Sequence, residues 1–108
     1  MSNHFATKIV KGLLDHVILE ACEEKPRHGY ELIKLVREKY HVYFGPSTMY
    51  PLLNKLEELG FIKSQWNFGN GRPQKQYSLT AKGFAELTLQ RRDIELILVA
   101  REHEQRGD

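Results

Sequence analysis

The sequence predicts a mainly α-helical fold with one small β-hairpin, an α+β class, from three observations. Apolar residues recur with a helical period up to residue 59 and with a period of two after Gly60. The turn sequence Gly69-Asn70-Gly71 lies between two short segments of period two, and Asn-Gly is typical of hairpins because both turn positions need a positive φ. A helical pattern returns at residue 81. The predicted order is three helices, a hairpin and a final helix.

The first helix is predicted over residues 8–24. An apolar stripe about 100° wide contains Val10, Leu13, Leu14, Val17 and Ala21. Leu19 lies far outside this stripe and Ile9 lies off its edge, so we expect the helix to be covered from two directions. Lys25-Pro26 ends the helix, because proline disfavours the helical conformation of the residue before it.

Two further helices are predicted over residues 28–40 and 46–59. One side of the second helix is apolar and contains Leu32, Ile33, Val36 and Tyr40. The third helix begins at Pro46 or Ser47, which suit a first turn, and ends before Gly60, which suits a left-handed residue. Its inward stripe consists of Met49, Leu52, Leu53 and Leu56.

The remaining elements are a hairpin and a long helix. Strands are predicted over residues 61–67 and 74–79, with the turn at Gly69–Pro73, and Thr80 is expected to cap a helix over 81–105. We divide the chain into a winged helix-turn-helix domain over residues 1–80 and a C-terminal dimerisation helix over residues 81–108.

Composition argues against several classes of protein. No apolar run approaches the roughly 18 residues that a membrane span needs, and residues 1–11 lack a signal-peptide pattern, so we expect a cytoplasmic protein without a membrane partner. The single cysteine, Cys22, excludes an intrachain disulfide and fits a buried thiol better than a nucleophile. The five histidines are scattered without metal-ligand spacing. We therefore predict no enzyme activity, no cofactor and no metal site.

The outward face of the third helix is the first candidate for function. It presents Ser47, Thr48, Tyr50, Pro51, Asn54, Lys55 and Glu58, a set rich in groups that bond phosphate oxygens and base edges. A plain solvated face is the alternative for this helix considered alone. Pro51 either tightens the start of the helix or offers, beside Tyr50, an apolar surface for a sugar or a thymine methyl.

The hairpin is the second candidate, because the basic charge of the chain is concentrated there. The net charge is +2, yet residues 61–85 contain Lys63, Arg72, Lys75 and Lys82 and no acid. Arg72, at the tip beside Pro73, is suited to phosphate or a minor groove. A helix pair followed by a basic wing predicts double-stranded DNA as the partner. Trp66 either packs within the hairpin or lines a cavity, and packing is favoured.

The last helix predicts a homodimer. Phe84, Leu87, Ile94 and Leu98 form one stripe, and Leu96, Ile97, Val99 and Ala100 surround the other sides, so this helix needs burial on more than one side. It is expected to pack on the first helix of its own or a partner subunit; folding back on its own domain is the alternative. The predicted interface consists of Ile9, Leu19, Phe84, Leu87, Ile94, Ile97 and Leu98.

Several motifs in order resemble the PadR family of transcriptional regulators. They are residues 28–32 (HGYEL), 45–53 (GPSTMYPLL), 56–62 (LEELGFI), 71–73 (GRP), 77–80 (YSLT) and 82–83 (KG). The resemblance implies a winged-helix repressor that dimerises through its C-terminal helix and has a small-molecule effector that releases DNA. It also implies DNA contacts from Ser47, Thr48, Tyr50, Asn54, Tyr30 and Arg72.

The chain departs from the family pattern at two places. Met49 replaces the usual leucine. The single C-terminal helix places the chain in the short branch of the family. Phe84 is the only aromatic residue of this helix, which argues against an aromatic effector pocket on it. The predicted function is a sequence-specific regulator that reads a pseudo-palindromic operator as a dimer. The alternative is a winged-helix module for protein contacts or ligand sensing without specific DNA binding.

Overall fold

The structure, a computed structural model, describes residues 3–69 and 71–105. The helices in these residues are α1 (Asn3–Gly12), α2 (Leu14–Glu24), α3 (Gly29–Tyr40), α4 (Pro46–Glu58) and α5 (Ala81–Gln105). The strands are β1 (Arg27–His28), β2 (Ile62–Asn67) and β3 (Gln74–Leu79). This arrangement confirms the predicted class, a mainly helical fold with a small antiparallel hairpin.

The first predicted helix is wrong in its extent, because the structure divides it into α1 and α2. Helix α1 already begins at Asn3 and ends at Gly12, a residue with low helix propensity. The Leu13 N–H is shared between the carbonyls of Ile9 and Val10, each 3.1 Å away, and Leu13 itself has non-helical dihedrals (φ −98°, ψ 2°). The chain therefore bends at this point. The apolar stripe, which the sequence predicted to be continuous, is divided between α1 and α2.

The sheet contains one strand that the sequence did not indicate. Strand β1 has only two residues, too few for an alternating pattern, and pairs antiparallel with β3 through Arg27↔Tyr77 and His28↔Gln76. Strand β3 also pairs antiparallel with β2, from Ile62↔Leu79 to Asn67↔Gln74, so the order is β1-β3-β2. Gly71 has the positive φ (73°) expected in the hairpin turn, whereas Asn70 lies outside the described residues.

The core lies between the helices and one face of the sheet. Fully buried side chains come from α2, α3, α4, both long strands and α5, and they include Ile18, Leu32, Met49, Leu53, Ile62, Tyr77 and Leu87. The inward stripe of α4 is thus confirmed, with Leu52 partly buried at its edge. This packing holds the outward face of α4 at the surface in a fixed orientation.

The end of α4 and the start of α5 meet in a hydrogen-bonded joint. Gly60 has φ 82°, and the N–H groups of Gly60 and Phe61 donate to the carbonyls of Glu57 (2.9 Å) and Leu56 (3.0 Å), which closes the helix in a Schellman motif. Thr80 caps α5 as expected, because its Oγ accepts from the N–H of Gly83 at 2.9 Å. We name the segments around Gly60, Phe61, Thr80 and Gly83 the α4–α5 joint.

The same threonine links the two sides of the α4–α5 joint. Its hydroxyl donates to the carbonyl of Gly60 at 2.5 Å, and its N–H donates to the carbonyl of Phe61 at 3.1 Å. Gly83 lies against this carbonyl so closely that an added Cβ would overlap the Phe61 oxygen. The direction in which α5 leaves the domain is therefore set by the end of α4.

Helix α5 is attached only along its first half among the described side chains. Leu87 is buried in the core, and Oε1 of Gln90 accepts a hydrogen bond from Nδ1 of His16 at 2.9 Å. The Arg91 guanidinium contacts Glu23 at 2.7 Å and Glu20 at 3.5 Å. Hydrogen bonding to Arg91 lowers the pKa of Glu23. The radius of gyration is 16.0 Å and the longest extent 62 Å, whereas a compact chain of this length has a radius of about 13 Å. The second half of α5 thus projects from the domain.

No helix in residues 3–69 and 71–105 is both long enough and apolar enough to span a membrane.

Substitution of Gly83 tests the α4–α5 joint. Gly83→Ala places a methyl group against the Phe61 carbonyl, and overpacking against backbone is expected to lower the free energy of unfolding by about 2 kcal/mol or more. Gly12→Ala is the matched control, because an added Cβ there meets nothing within 4 Å. The control should leave stability unchanged or raise it by up to about 1 kcal/mol. Urea denaturation at one fixed protein concentration measures both, and equal stabilities of the two variants would contradict this account.

Candidate nucleic-acid interface

The outward face of α4 is exposed as the sequence predicted. Ser47, Pro51, Asn54 and Lys55 are exposed, and Thr48 is partly buried. Gly45 is the N-cap, Pro46 occupies the first turn, and no acidic residue lies in that turn. Pro51 lacks an N–H, so the carbonyl of Ser47 has no helical donor at this position. The first turn and a half of α4 therefore offers donors, acceptors and an apolar ring to a partner.

Tyr50 is held against the start of α3 by a close contact with Gly29. A Cβ added to Gly29 would lie 2.5 Å from Cε1 and 2.6 Å from the hydroxyl oxygen of Tyr50. Only a residue without a side chain leaves room for the tyrosine ring at this place. The ring nevertheless stays 38% exposed, so Gly29 fixes its direction without burying it.

Tyr30 lies beside this contact and is 53% exposed. Its ring stacks on that of His28 with centroids 5.7 Å apart and planes 4° from parallel. Nδ1 of His28 lies 3.1 Å from the carbonyl oxygen of Lys75 in β3, and the His28 N–H donates to Glu31 at 2.8 Å. The start of α3 is therefore attached to the hairpin on one side and presents Tyr30 on the other.

The basic residues of the hairpin separate into different places. Arg72 is exposed in the segment between β2 and β3, as expected for a wing tip, and Lys75 is partly buried on β3. Lys63 pairs with Ser78, three positions from the Trp66↔Lys75 pair, so side-chain alternation places it on the opposite face of the hairpin. The ammonium of Lys82 lies 5.6 Å from the Phe61 ring at the α4–α5 joint. The local charge of +4 in residues 61–85 is thus spread over several surfaces.

Glu57 joins α4 to the hairpin, and sequence reasoning missed it. Its carboxylate accepts hydrogen bonds from the N–H (3.2 Å) and the hydroxyl (2.5 Å) of Ser64 in β2. Burial and the charge of Glu57 raise the pKa of Tyr77, which lies opposite Ser64 in the sheet. Glu57 lies at the edge of the apolar stripe of α4, where a carboxylate needs a hydrogen-bond partner. This position in the sequence could have identified Glu57 as a structural residue.

Trp66 lines a cleft between α4 and the hairpin, which differs from the favoured expectation that it packs within the hairpin. The cleft has a volume of about 320 Å³ and is lined by His28, Gly29, Tyr30, Tyr50, Asn54, Trp66, Pro73, Gln74, Lys75 and Tyr77. The indole is 53% exposed, and the Lys75 ammonium lies 5.8 Å from its ring. The cleft brings together Tyr30, Tyr50, Asn54 and Lys75 from the predicted site, while Lys63 and Arg72 are not among its lining residues.

Two residues of the predicted dimer interface belong instead to the core. Leu19 and Leu87 are both fully buried within the single chain, so their side chains have no surface left for a partner. The sequence predicted that α5 packs on the first helix of its own or a partner subunit, and the first half of α5 does contact α2 of the same chain, which buries Leu87 there. Phe84, Ile9, Ile97 and Leu98 are exposed and Ile94 is partly exposed.

Cys22 is buried on α2, and burial raises the pKa of its thiol to about 11, an effect that the charge of Arg27 only partly offsets. The thiolate is therefore scarce at neutral pH, which agrees with a structural thiol. Within the described parts of the chain, no group of three or more His, Cys, Asp or Glu side chains is arranged to hold a metal ion.

Comparison with known proteins places these features in a family. The profile of the transcriptional regulator PadR-like family matches residues 18–89. The transcriptional regulator Rv3488 of Mycobacterium tuberculosis is 32% identical over 80 residues, which cover 74% of this chain and 73% of that protein. The matched region includes α3, α4, the hairpin and the α4–α5 joint.

Solved structures give the same result for the fold. A PadR family transcription regulator from Clostridium difficile is 29% identical with a TM-score of 0.77, and the alignment covers 86% of this chain and 98% of that one. A PadR family transcriptional regulator from Eggerthella lenta is 25% identical with a TM-score of 0.80, covering 94% and 88%. These three relatives are transcriptional regulators by name, and this chain shares the fold of the two solved structures.

Proposed function

Since the chain belongs to the PadR-like family of transcriptional regulators, we propose that it is a sequence-specific regulator that binds a pseudo-palindromic DNA operator as a dimer and represses transcription. The observation that carries this proposal is the exposed polar face of α4 beside a basic wing. No acidic residue occurs in residues 39–56 or 59–85. Of the two acids between these segments, Glu57 is bonded to Ser64 and Glu58 is exposed in the last turn of α4. A phosphate backbone at the N-terminal part of this face therefore meets donors and positive charge, while Glu58 lies at the opposite end of the helix.

We assign the reading of base edges to Tyr50 and Asn54, and contacts with the backbone to the first turn of α4 and the wing. The N-terminal residues of a recognition helix reach bases in the major groove, and the amide of Asn54 can pair with adenine. We assign phosphate contacts to Ser47, Thr48, Lys55, Tyr30 and Arg72, which are exposed apart from the partly buried Thr48. Pro51 adds an exposed apolar surface beside Tyr50. Lys63 would contact DNA only on the other face of the wing.

The proposed dimer rests on apolar surfaces that the single chain leaves uncovered. On α5, Leu96, Ile97, Leu98 and Val99 are exposed, and Phe5 and Ile9 on α1 and Leu13 at the break after it are exposed as well. Side chains of this size on a projecting helix lose the benefit of burial in a monomer. Packing α1 and the second half of α5 against a partner covers both surfaces. A two-fold dimer then places two α4 helices about 34–36 Å apart, one turn of B-DNA.

The small-molecule effector has a candidate site in a cavity between the α1–α2 bend and α5. Its volume is about 290 Å³, and its lining residues are Gly12, Leu13, Asp15, His16, Gln90, Asp93 and Ile94. This size is near the lower end for ligand pockets. The lining contains no aromatic ring besides the His16 imidazole, which fits a small polar ligand. A ligand here would act on the angle between α5 and the rest of the domain.

Two substitutions separate backbone contacts from base reading. Arg72→Ala should lower the slope of log K against log salt by about one unit for any duplex, because one phosphate contact is lost. Asn54→Ala should weaken binding to a duplex from the protein's own promoter by roughly tenfold while changing binding to a random duplex little. Fluorescence anisotropy of labelled duplexes at several salt concentrations measures both.

Equal losses of Asn54→Ala on the two duplexes would reject the base-reading role. Absence of binding to the promoter duplex at low salt, with folded protein, would favour the alternative of a winged-helix module for protein contacts or ligand sensing.

The dimer is tested at Ile97, which is 69% exposed in the single chain. Ile97→Glu places a charge in the proposed interface, and we expect dissociation to monomers in sedimentation equilibrium together with loss of affinity for the full operator. Arg92→Glu, on an exposed position of the attached half of α5, is the charge-changing control and should stay dimeric. A dimer of unchanged strength for Ile97→Glu would contradict the proposed interface.

A further inference from the structure

The cleft between α4 and the hairpin combines exposed aromatic rings with a positively charged group. Its walls are formed by the start of α3, the outward face of α4 and both strands of the wing. Trp66 and Lys75 are direct cross-strand partners, and Trp66 shares its face of β2 with Ser64, the residue bonded to Glu57 of α4. The indole and the ammonium therefore face the recognition helix across the cleft.

Three rings around this cleft keep much of their surface in water. Tyr30 and Trp66 are about half exposed, and Tyr50 is more than a third exposed although Gly29 holds it in place. Lys75 is partly buried, and its ammonium lies 5.8 Å from the Trp66 ring, within range of a cation–π contact at the cleft. Rings that stay exposed at one place, with a cation held beside them, form a surface suited to a partner that is both apolar and anionic.

The charges around the cleft exclude a cationic partner. None of its lining residues is Asp or Glu, and Lys75 is its basic member. The carboxylates of Glu31 and Glu57, which are not part of this lining, accept hydrogen bonds from the backbone N–H groups of His28 and Ser64. A polyanion therefore finds a positive and partly apolar cleft without unpaired carboxylates in its walls.

The cleft is continuous with the outward face of α4, and this identifies the polyanion. Tyr50 and Asn54 belong both to the outward face of α4 and to the cleft wall, so an object read by α4 continues directly into the cleft. In duplex DNA the faces of the bases are stacked and unavailable, and besides the base edges in the grooves, the accessible groups along a strand are deoxyribose and phosphate. Deoxyribose supplies apolar C–H surface for a ring, and phosphate supplies the charge for the ammonium.

We propose that one strand of the duplex read by α4 passes through this cleft, with a deoxyribose against Trp66 and its phosphate at Lys75. This inference rests on the proposed DNA-binding function and adds a contact that is independent of base sequence. Gly29 acts as a positioning residue, because it keeps Tyr50 at the cleft wall and out of the path of the strand.

Trp66 is the single tryptophan of the chain, so its emission reports directly on the cleft. The experiment titrates the full-length protein with a labelled promoter duplex and records, in the same sample, the anisotropy of the label and the emission of Trp66. We expect the Trp66 emission to change during the titration, with the same midpoint as the anisotropy curve. Trp66→Ala should weaken binding of promoter and random duplexes alike, by about fivefold, and Trp66→Phe should retain most of the affinity.

Matched variants separate the contact with sugar from the contact with phosphate. Lys75→Gln should lower the salt slope by about one unit, whereas Trp66→Ala should leave the slope unchanged. Gln65→Ala is the control on the same strand, because alternation places Gln65 on the opposite face of the hairpin, and it should bind as the unmodified protein does. Circular dichroism establishes that each variant is folded.

The outcomes distinguish this inference from the proposed function. If anisotropy shows DNA binding while Trp66 emission and the affinity of Trp66→Ala do not change, the strand does not enter the cleft and the DNA-binding function stands. If Trp66→Ala weakens binding only to the promoter duplex, the ring reads bases and the sugar contact is rejected. If no duplex binds at low salt, the proposed function fails and this inference fails with it.

Discussion

The geometry of the molecule depends on the hydrogen bonds of the α4–α5 joint. Thr80 caps α5 with its oxygen and donates the same hydroxyl to Gly60, at the end of α4. Gly83 allows the first turn of α5 to lie against the Phe61 carbonyl. A helix proposed to bind DNA and a helix proposed to bind a partner subunit are thus fixed to each other over a few residues. In a dimer that forms through α5, the angle between α4 and α5 therefore determines the separation of the two α4 helices.

A second link gives the wing its position. The Glu57 carboxylate holds β2 through Ser64, and the His28 ring and β1 hold β3 from the other side. Neither contact lies on the exposed surface of α4. The outward face of α4 therefore takes no part in these structural contacts, apart from Tyr50, whose ring is oriented by its contact with Gly29. Partly buried hydrogen bonds thus position the walls of the cleft, while the groups at its surface remain available to a ligand.

The sequence was sufficient wherever a long periodic pattern and a strong end signal coincided. The stripe of α4, the left-handed Gly60 and the Thr80 cap were predicted and are confirmed. It was insufficient where tertiary contact decides. The two-residue β1 has no periodicity, and the bend at Leu13 depends on local hydrogen bonding. Periodicity also could not distinguish a leucine buried within its own chain, such as Leu87, from one that a partner subunit would cover. The face of the hairpin on which Lys63 lies follows only from the strand register.

The most direct test of a dimeric reader of DNA is the symmetry of the sites that it selects. Purified protein would be mixed with genomic fragments, the bound fragments sequenced, and the selected site mapped by footprinting. Two inverted half-sites with centres about 10 base pairs apart, protected together by two copies of the chain, are the predicted result. Selection of a single site without inverted symmetry, protected by one copy, would contradict the account.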